Sequence, residues 1–371
     1  MSERIVMVLF NSVVLLILLI MQILMPRITR KNILLGVKIP EEKMETDEVK
    51  NIIKGFKREN LIVGIPVLVI ISLLIYYIDN IHIFTLSVFL YIGILFLIYI
   101  RWNKKSKELK KEKEWDKLKG KVVVIDTKFS RDRAKDSTVP QRWFLVSVII
   151  ILISTALSLT MYPSLPEKIP THWDINGNVD GYMNKSMFTA LLMPLTQVLM
   201  AIIVYMSYYF MIRSKQQINP NDPEISLKKN IIFRKAWSIY FIVTLTLIEI
   251  LFTALNMMTL GIFSNMKLFN IYSFTIYGII IIGSIALSIV LGQGGDRIKL
   301  KEEENTSKGY DIDDDRLWKL GNTIYYNPDD SSIFVEKRIG IGWTVNAGRP
   351  FGMFFMILPF VMIIVILLLV E

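Results

Sequence analysis

The strongest constraint on this chain is the recurrence of long apolar runs, of which "VMVLFNSVVLLILLIMQILM" at residues 6–25 is the first. An α-helix rises 1.5 Å per residue, so about 20 apolar residues cross the hydrocarbon core of a bilayer with every backbone polar group satisfied internally. Seven further runs of this kind cover residues 61–78, 81–100, 143–162, 187–212, 237–260, 268–291 and 351–370. They predict an all-α polytopic membrane bundle of about eight transmembrane helices, with a small cytoplasmic β element. The first run has one basic residue before it, an apolar stretch longer than a signal sequence and no small-residue cleavage pattern after it, so it reads as a retained span. The chain has no cysteine, which excludes disulfides, iron–sulfur clusters and thiolate zinc sites.

Of the 43 basic residues, 39 fall in segments 26–60, 101–142, 213–236 and 293–352, and only Arg4, Lys168, Lys185 and Lys267 lie in the alternate segments. By the positive-inside rule this predicts both termini outside and the basic loops on the cytoplasmic side of the membrane. The formal charge of +10 then follows from loops facing anionic headgroups. No aromatic-basic recognition motif accompanies it, so nucleic acid is not an expected partner.

The organisation read along the chain is a first span with a cytoplasmic amphipathic helix (1–60), a helical hairpin (61–100), a basic helix and strand (101–142), two spans flanking a loop at 163–186 (143–212), two further spans (213–292), a linker and β-hairpin module (293–350) and a last span (351–371). The loop, "PSLPEKIPTHWDINGNVDGYMNKS", reads as a rigid extracytoplasmic hairpin. Ile169-Pro170 sets an extended approach, and Asn176-Gly177 is a strong type I′ turn signal. That register sets Trp173 opposite Asp180 and His172 opposite Gly181, where glycine would leave room for a ligand or water. Asp180-Gly181 would end the ribbon, and Asn184 or Ser186 would cap the next span.

The same residues carry a likeness. "YPSLPEKIPTHWDINGNVDGYMNKS" resembles the signature of a bacterial membrane family, domain of unknown function 1648. That domain also occurs in Sdp-type immunity proteins, which protect toxin producers and help sense the toxin. "LWKLGNTIYYNPDDSSIFVEKRIGIGWTVNAGRP" looks like a second uncharacterised module that accompanies the first. "GVKIP" faintly resembles the Gly-x-Arg-Thr-Pro segment of the immunity proteins, with Lys38 and Ile39 in place of Arg and Thr. The resemblance implies recognition of a peptide toxin or envelope component outside through Pro170, His172, Trp173, Asn176, Gly177, Asp180, Gly181 and Tyr182, with the cytoplasmic sheet reporting to or holding a regulatory protein inside.

Among the cytoplasmic segments, Val49, Ile52, Ile53 and Phe56 form an apolar stripe beside Lys50, Lys54, Lys57 and Arg58, as in a helix lying on the membrane surface or on the protein's own face. "KKSKELKKEKEWDKLK" reads as a solvated continuation of the third helix, and "KVVVIDTKF" at 121–129 as a strand. A hairpin over 324–338, turning at Asn327-Pro328, is expected to join that strand in one sheet. "KEEENTSKGYDIDDD" reads as a mobile linker, "GQGGD" at 292–296 as a helix stop, and Trp343 and Arg349 as anchors of the last span.

For chemistry, Glu249 is the one acidic residue near the middle of a span. It reads as a proton carrier or cation ligand, or as a protonated residue hydrogen-bonded to Ser, Thr or Gln, with Gln22 and Gln197 as available partners. His172 and His82, with Asp79, Asp174 and Asp180, have no diagnostic metal spacing, so no metal or other cofactor is expected; His172 also suits a pH sensor. There is no HExxH, nucleophile elbow or phosphate loop, so no enzyme is expected. Two functions remain: toxin or envelope-stress sensing and immunity through the hairpin, or small-solute or peptide transport through Glu249.

Overall fold

A computed structural model describes residues 3–78, 81–117, 138–174, 177–219, 222–300, 314–358 and 361. Its long helices are α1 (Glu3–Ile28), α2 (Asp47–Tyr77), α3 (Ile81–Glu112), α4 (Leu145–Met161), α5 (Met187–Arg213), α6 (Pro223–Thr259) and α7 (Met266–Leu291), and a short ribbon of β1 (Ile33–Leu34) and β2 (Val37–Lys38) lies between α1 and α2. Seven helical segments among the described residues are long and apolar enough to cross a membrane. The protein is therefore a multi-pass helical membrane protein. Of the eighth predicted span, residues 351–358 are helical and most of the remainder lies outside the described residues.

The chain divides into two compact units. The first holds residues 1–127, 214–230 and 288–371. Here α1, α2 and α3 pack through Leu15, Leu19, Ile71, Ile75, Tyr91 and Leu95. A glycine permits the close approach: a Cβ at Gly64 would fall 2.7 Å from Leu19, and the Tyr91 hydroxyl donates to the Gly64 carbonyl at 3.1 Å. Exposed apolar side chains such as Ile62, Ile65, Val69 and Ile70 line the outer face of α2, as a lipid-facing helix requires.

The predicted amphipathic helix is not a separate element. It forms the first turns of α2, which run unbroken into the span. Val49 and Phe56 are buried with Leu34, Leu35, Val37 and Trp102, so the stripe packs on the protein itself. The predicted continuation of α3 runs to Glu112, but it is not solvated all round: Ser106, Leu109 and Lys110 are buried.

The C-terminal segment of this unit contains β5 (Trp318–Lys319), β6 (Ile324–Tyr325), β7 (Phe334–Glu336) and β8 (Trp343–Val345). The hairpin expected over 324–338 does not form. Instead β5 pairs with β6 and β7 with β8. The cause is local: Leu320, Gly321 and Asn322 all have positive φ and turn the chain back immediately before β6. Gly340 and Gly342 do the same between β7 and β8. Asn327-Pro328 still turns, with the Asp329 amide donating to the Asn327 side chain at 3.1 Å. The strand expected at 121–129 lies outside the described residues; Lys215 makes a parallel bridge to Val335 instead.

The second unit holds residues 128–213 and 231–287. It contains α4, α5, most of α6, most of α7, and a ribbon of β3 (Lys168–Trp173) and β4 (Val179–Asn184) that joins α4 to α5. Leu165 and Ile169 at the foot of the ribbon are buried with Ala190 and Leu260, which seats it on the helix ends.

Candidate functional site

Ribbon and helix interior form two candidate sites within the second unit. On the ribbon, Lys168 pairs with Asn184, Pro170 with Tyr182 and His172 with Gly181, but Trp173 pairs with Val179 rather than Asp180. The Asp174 amide donates to the Asn178 carbonyl at 2.8 Å, and the Gly177 amide to the Asp174 carbonyl at 3.0 Å. With Gly177 at φ +92°, these bonds belong to a three-residue loop rather than a two-residue type I′ turn. Asp174 reinforces it by accepting from the Asn178 amide and side chain, each at 2.8 Å. Ile175 and Asn176 lie outside the described residues.

The shifted register leaves Asp180 as an extra residue opposite the His172–Trp173 step. Its carboxylate meets His172 Nδ1 at 2.5 Å. Gly181 does not open space for a ligand, because a Cβ there would fall 2.7 Å from the His172 Cβ. It allows the two strands to approach at that pair. Nor do Asp180 and Gly181 end the ribbon, since pairing continues through Tyr182 and Met183 to Asn184. Ser186 then caps α5 by accepting the Thr189 amide at 3.1 Å. The ribbon exposes 72% of the His172 side chain and 55% of Tyr182, with Asp180 and Met183 beside them. Pro170 and Trp173 are half-buried.

Deeper in this unit Glu249 is fully buried. Ser147 on α4 donates to its Oε1. Gln197 on α5 donates from Nε2 to the Glu249 carbonyl and to Thr253 Oγ1, each at 2.9 Å. Glu249 Oε2 and Gln197 Oε1 are buried with no hydrogen-bond partner among the described residues. Two helical turns along α6, Asn256 donates to Ser154 Oγ at 3.1 Å and Ser158 Oγ at 3.0 Å. Ser147, Ser154 and Ser158 are spaced seven and four apart, which puts them on one face of α4. A polar seam thus runs between α4 and α6. Gln22 is not part of it; its side chain donates to the Leu95 carbonyl at 3.0 Å in the first unit.

The first unit holds a buried ionic network that sequence reasoning missed. Arg338 pairs with Asp314 and Asp315, and its Nε donates to the Gly36 carbonyl at 3.1 Å. Asn322 donates to the same carbonyl at 2.8 Å. Lys110 meets Asp315 at 2.7 Å, and Lys38 lies 3.7 Å from Asp314. Burial would push the Asp314 carboxyl up, but Arg338 and Lys38 outweigh it and hold the group below its usual range. Fully buried Glu336 receives Arg30 and Asn230, the latter at 2.9 Å. The "GVKIP" turn and the end of α1 are therefore held by the C-terminal segment. Asp314 and Asp315, at the end of the expected linker, are thus structural, and Arg349, expected as a span anchor, donates to the Pro328 carbonyl at 3.3 Å. Trp343 sits in β8 opposite Glu336. One signal was available: Phe334 and Glu336 share a strand face, and a charge on the face of a buried aromatic must find a partner.

Among the described residues no group of three or more His, Asp and Glu is placed to hold a metal ion. Asp79 and the side chain of His82 lie outside them. Helical spans, a seated ribbon and a buried polar seam define the class: a multi-pass membrane protein with one exposed β element between two spans. Residues 149–198, from α4 through the ribbon into α5, match a domain of unknown function, DUF1648. Residues 328–353 match a family of unknown function, DUF5808. Searches of curated proteins and of solved structures found no match.

Proposed function

We propose that this is a non-enzymatic sensing or immunity protein of the bacterial cytoplasmic membrane, whose β3–β4 ribbon contacts a peptide toxin or an envelope component. The observation that carries this reading is the ribbon itself. It is anchored by buried Leu165 and Ile169, tied internally by the His172–Asp180 pair, and exposes His172, Asp180 and Tyr182. An aromatic and ionic surface already held in one conformation loses little entropy on binding, as a recognition element requires. The sidedness of the basic loops supports a threading with the ribbon and both termini outside. The buried network around Arg338 would pass a change at the first loop to a regulatory partner inside.

A second reading, transport of a small solute or peptide, is favoured by Oε2 of Glu249 and Oε1 of Gln197, which have no hydrogen-bond partner among the described residues. Two buried acceptors without donors suit a proton or small cation held at that point of the seam.

One experiment separates the readings: survival of a sensitive host expressing the wild type, His172→Ala, Tyr182→Ala or Glu249→Gln under challenge with membrane-active peptide toxins. The ribbon variants are expected to lose protection by about tenfold or more in toxin dose, as removal of an interface anchor does, while Glu249→Gln keeps it. Loss confined to Glu249→Gln would transfer the function to the seam, and no protection by the wild type would remove the immunity reading. The threading has its own check, since no native cysteine competes: Lys185→Cys should react with an impermeant thiol reagent in intact cells. Protection of that cysteine until the cells are opened would reverse the orientation.

A further inference from the structure

A groove of about 900 Å³ opens in the first unit beside the last turn of α1, the 3₁₀ turn Glu41–Glu45 and the first turns of α2. Its volume is that of a small-molecule site. Five cations line it, Arg27, Lys31, Lys50, Lys57 and Arg297, together with Glu41, Glu42 and Glu45. Lys50 is taken up by Glu45 at 3.1 Å. The other four cations outnumber the other two carboxylates, so the groove favours an anion.

Its level relative to lipid is readable from the helices. On α2 the exposed apolar belt begins at Leu61 and Ile62, so Lys57 precedes it by about 6 Å at 1.5 Å per residue. On α1 the belt ends at Ile20, about 10 Å before Arg27 by the same rise. Both cations therefore lie just beyond the hydrocarbon, where lipid phosphates are found. Pro26, Met44 and Ile53 supply apolar lining.

Arg297 is held in place by its backbone. Gly292 has φ +64°, and a Cβ there would fall 2.5 Å from the Arg297 Cγ. The glycine that stops α7 also lets the arginine stem pack against it. Arg297 Nε is buried with no hydrogen-bond partner among the described residues.

The geometry points to a binding site for the headgroup of an anionic phospholipid: the phosphodiester meets Arg27, Lys31, Lys57 and Arg297, and headgroup hydroxyls donate to Glu41 and Glu42. A glycerol headgroup satisfies both halves of the groove. Phosphatidylcholine, with no donor and a quaternary ammonium, satisfies only one.

The test uses the full chain in non-ionic detergent, titrated with phosphatidylglycerol, phosphatidylcholine or inorganic phosphate, with bound lipid counted by native mass spectrometry. The wild type is expected to retain phosphatidylglycerol selectively and not to release it to millimolar phosphate. Arg27→Ala/Arg297→Ala should bind it about tenfold or more weakly, since two of the four cations that meet the phosphodiester are gone. Lys54→Ala/Lys104→Ala removes the same charge outside the groove and should bind as the wild type does. Arg27→Glu, at an exposed position, should reproduce the loss without disturbing the packed stem of Arg297. Equal retention of phosphatidylcholine, equal weakening by the control pair, unchanged binding in Arg27→Glu, or displacement by free phosphate would each overturn the assignment.

Discussion

Replacing Arg338 with alanine is expected to destabilise the C-terminal segment by about 3–5 kcal/mol, the range for breaking a buried charge network by removing one partner. The substitution removes the guanidinium shared by Asp314 and Asp315, which keep ion pairs to Lys38 and Lys110 respectively, and takes from the Gly36 carbonyl the Arg338 donor, leaving that of Asn322. Hydrogen exchange of amides 318–346 in detergent should rise toward that of exposed backbone, while α1 and α2 keep their protection. Unchanged exchange would mean that packing around Trp318 and Tyr325 suffices without the ions. The effect carries a pH signature. The Asp314 carboxyl is held below its ordinary value of 3.8, so its contribution is present above that value and is lost as pH falls through the lower folded value. The gap in unfolding midpoint between wild type and Arg338→Ala should therefore be full at pH 7 and narrow once the pH drops below 3.8.

These contacts mark where the sequence stopped being legible. Spans, the helix stop at Gly292, the Ser186 cap and the His172–Gly181 pair depend on residues near each other in the chain or on periodicity, and they could be read. The shift that pairs Trp173 with Val179 depends on whether the loop holds two residues or three, a small difference that the dipeptide Asn176-Gly177 alone does not decide. The hairpin over 324–338 failed for a related reason: the turn at Asn327-Pro328 is real, but three successive positive-φ residues at 320–322 capture β6 first. Glu249 was visible because a carboxylate stands out among apolar residues, and Gln197 was a named partner. Ser147, Ser154 and Ser158 were legible as one helix face but are too common in spans to draw notice. The Arg30–Glu336 pair joins residues 306 apart in sequence, and Arg338–Asp315 joins residues 23 apart with β5, β6 and β7 between them. No local pattern specifies such partners, and only the unlikely strand face of Glu336 pointed to them.

Asn346→Asp is expected to be nearly as damaging as the loss of Arg338, although it exchanges only NH₂ for oxygen. Asn346 is fully buried. Its Oδ1 accepts the amides of Asn327 at 2.9 Å and Gly348 at 3.0 Å. Its Nδ2 faces the carbonyls of Asn327, Asp330 and Ser332 at 2.8, 3.2 and 3.1 Å. One side chain thus organises the turn that enters β7 and the stretch that leaves β8. A carboxylate keeps the first set of bonds and turns the second into repulsion between oxygens, at a cost of about 3 kcal/mol or more. Its deficit also narrows on acidification, but from a higher pH than that of Arg338→Ala, and because the variant regains stability rather than because the wild type loses it. Burial against three carbonyls raises the pKa of the introduced carboxyl in the folded state, so the penalty is greatest at neutral pH and eases as the group takes up a proton. Asn346→Ala loses the same bonds without a titrating group, and its deficit should not follow pH in this way. Unfolding midpoints of the three proteins from pH 7 to pH 4 separate the outcomes. Recovery of Asn346→Asp alone on acidification would establish the amide donors as what holds the segment, whereas parallel curves would reduce Asn346 to a matter of shape.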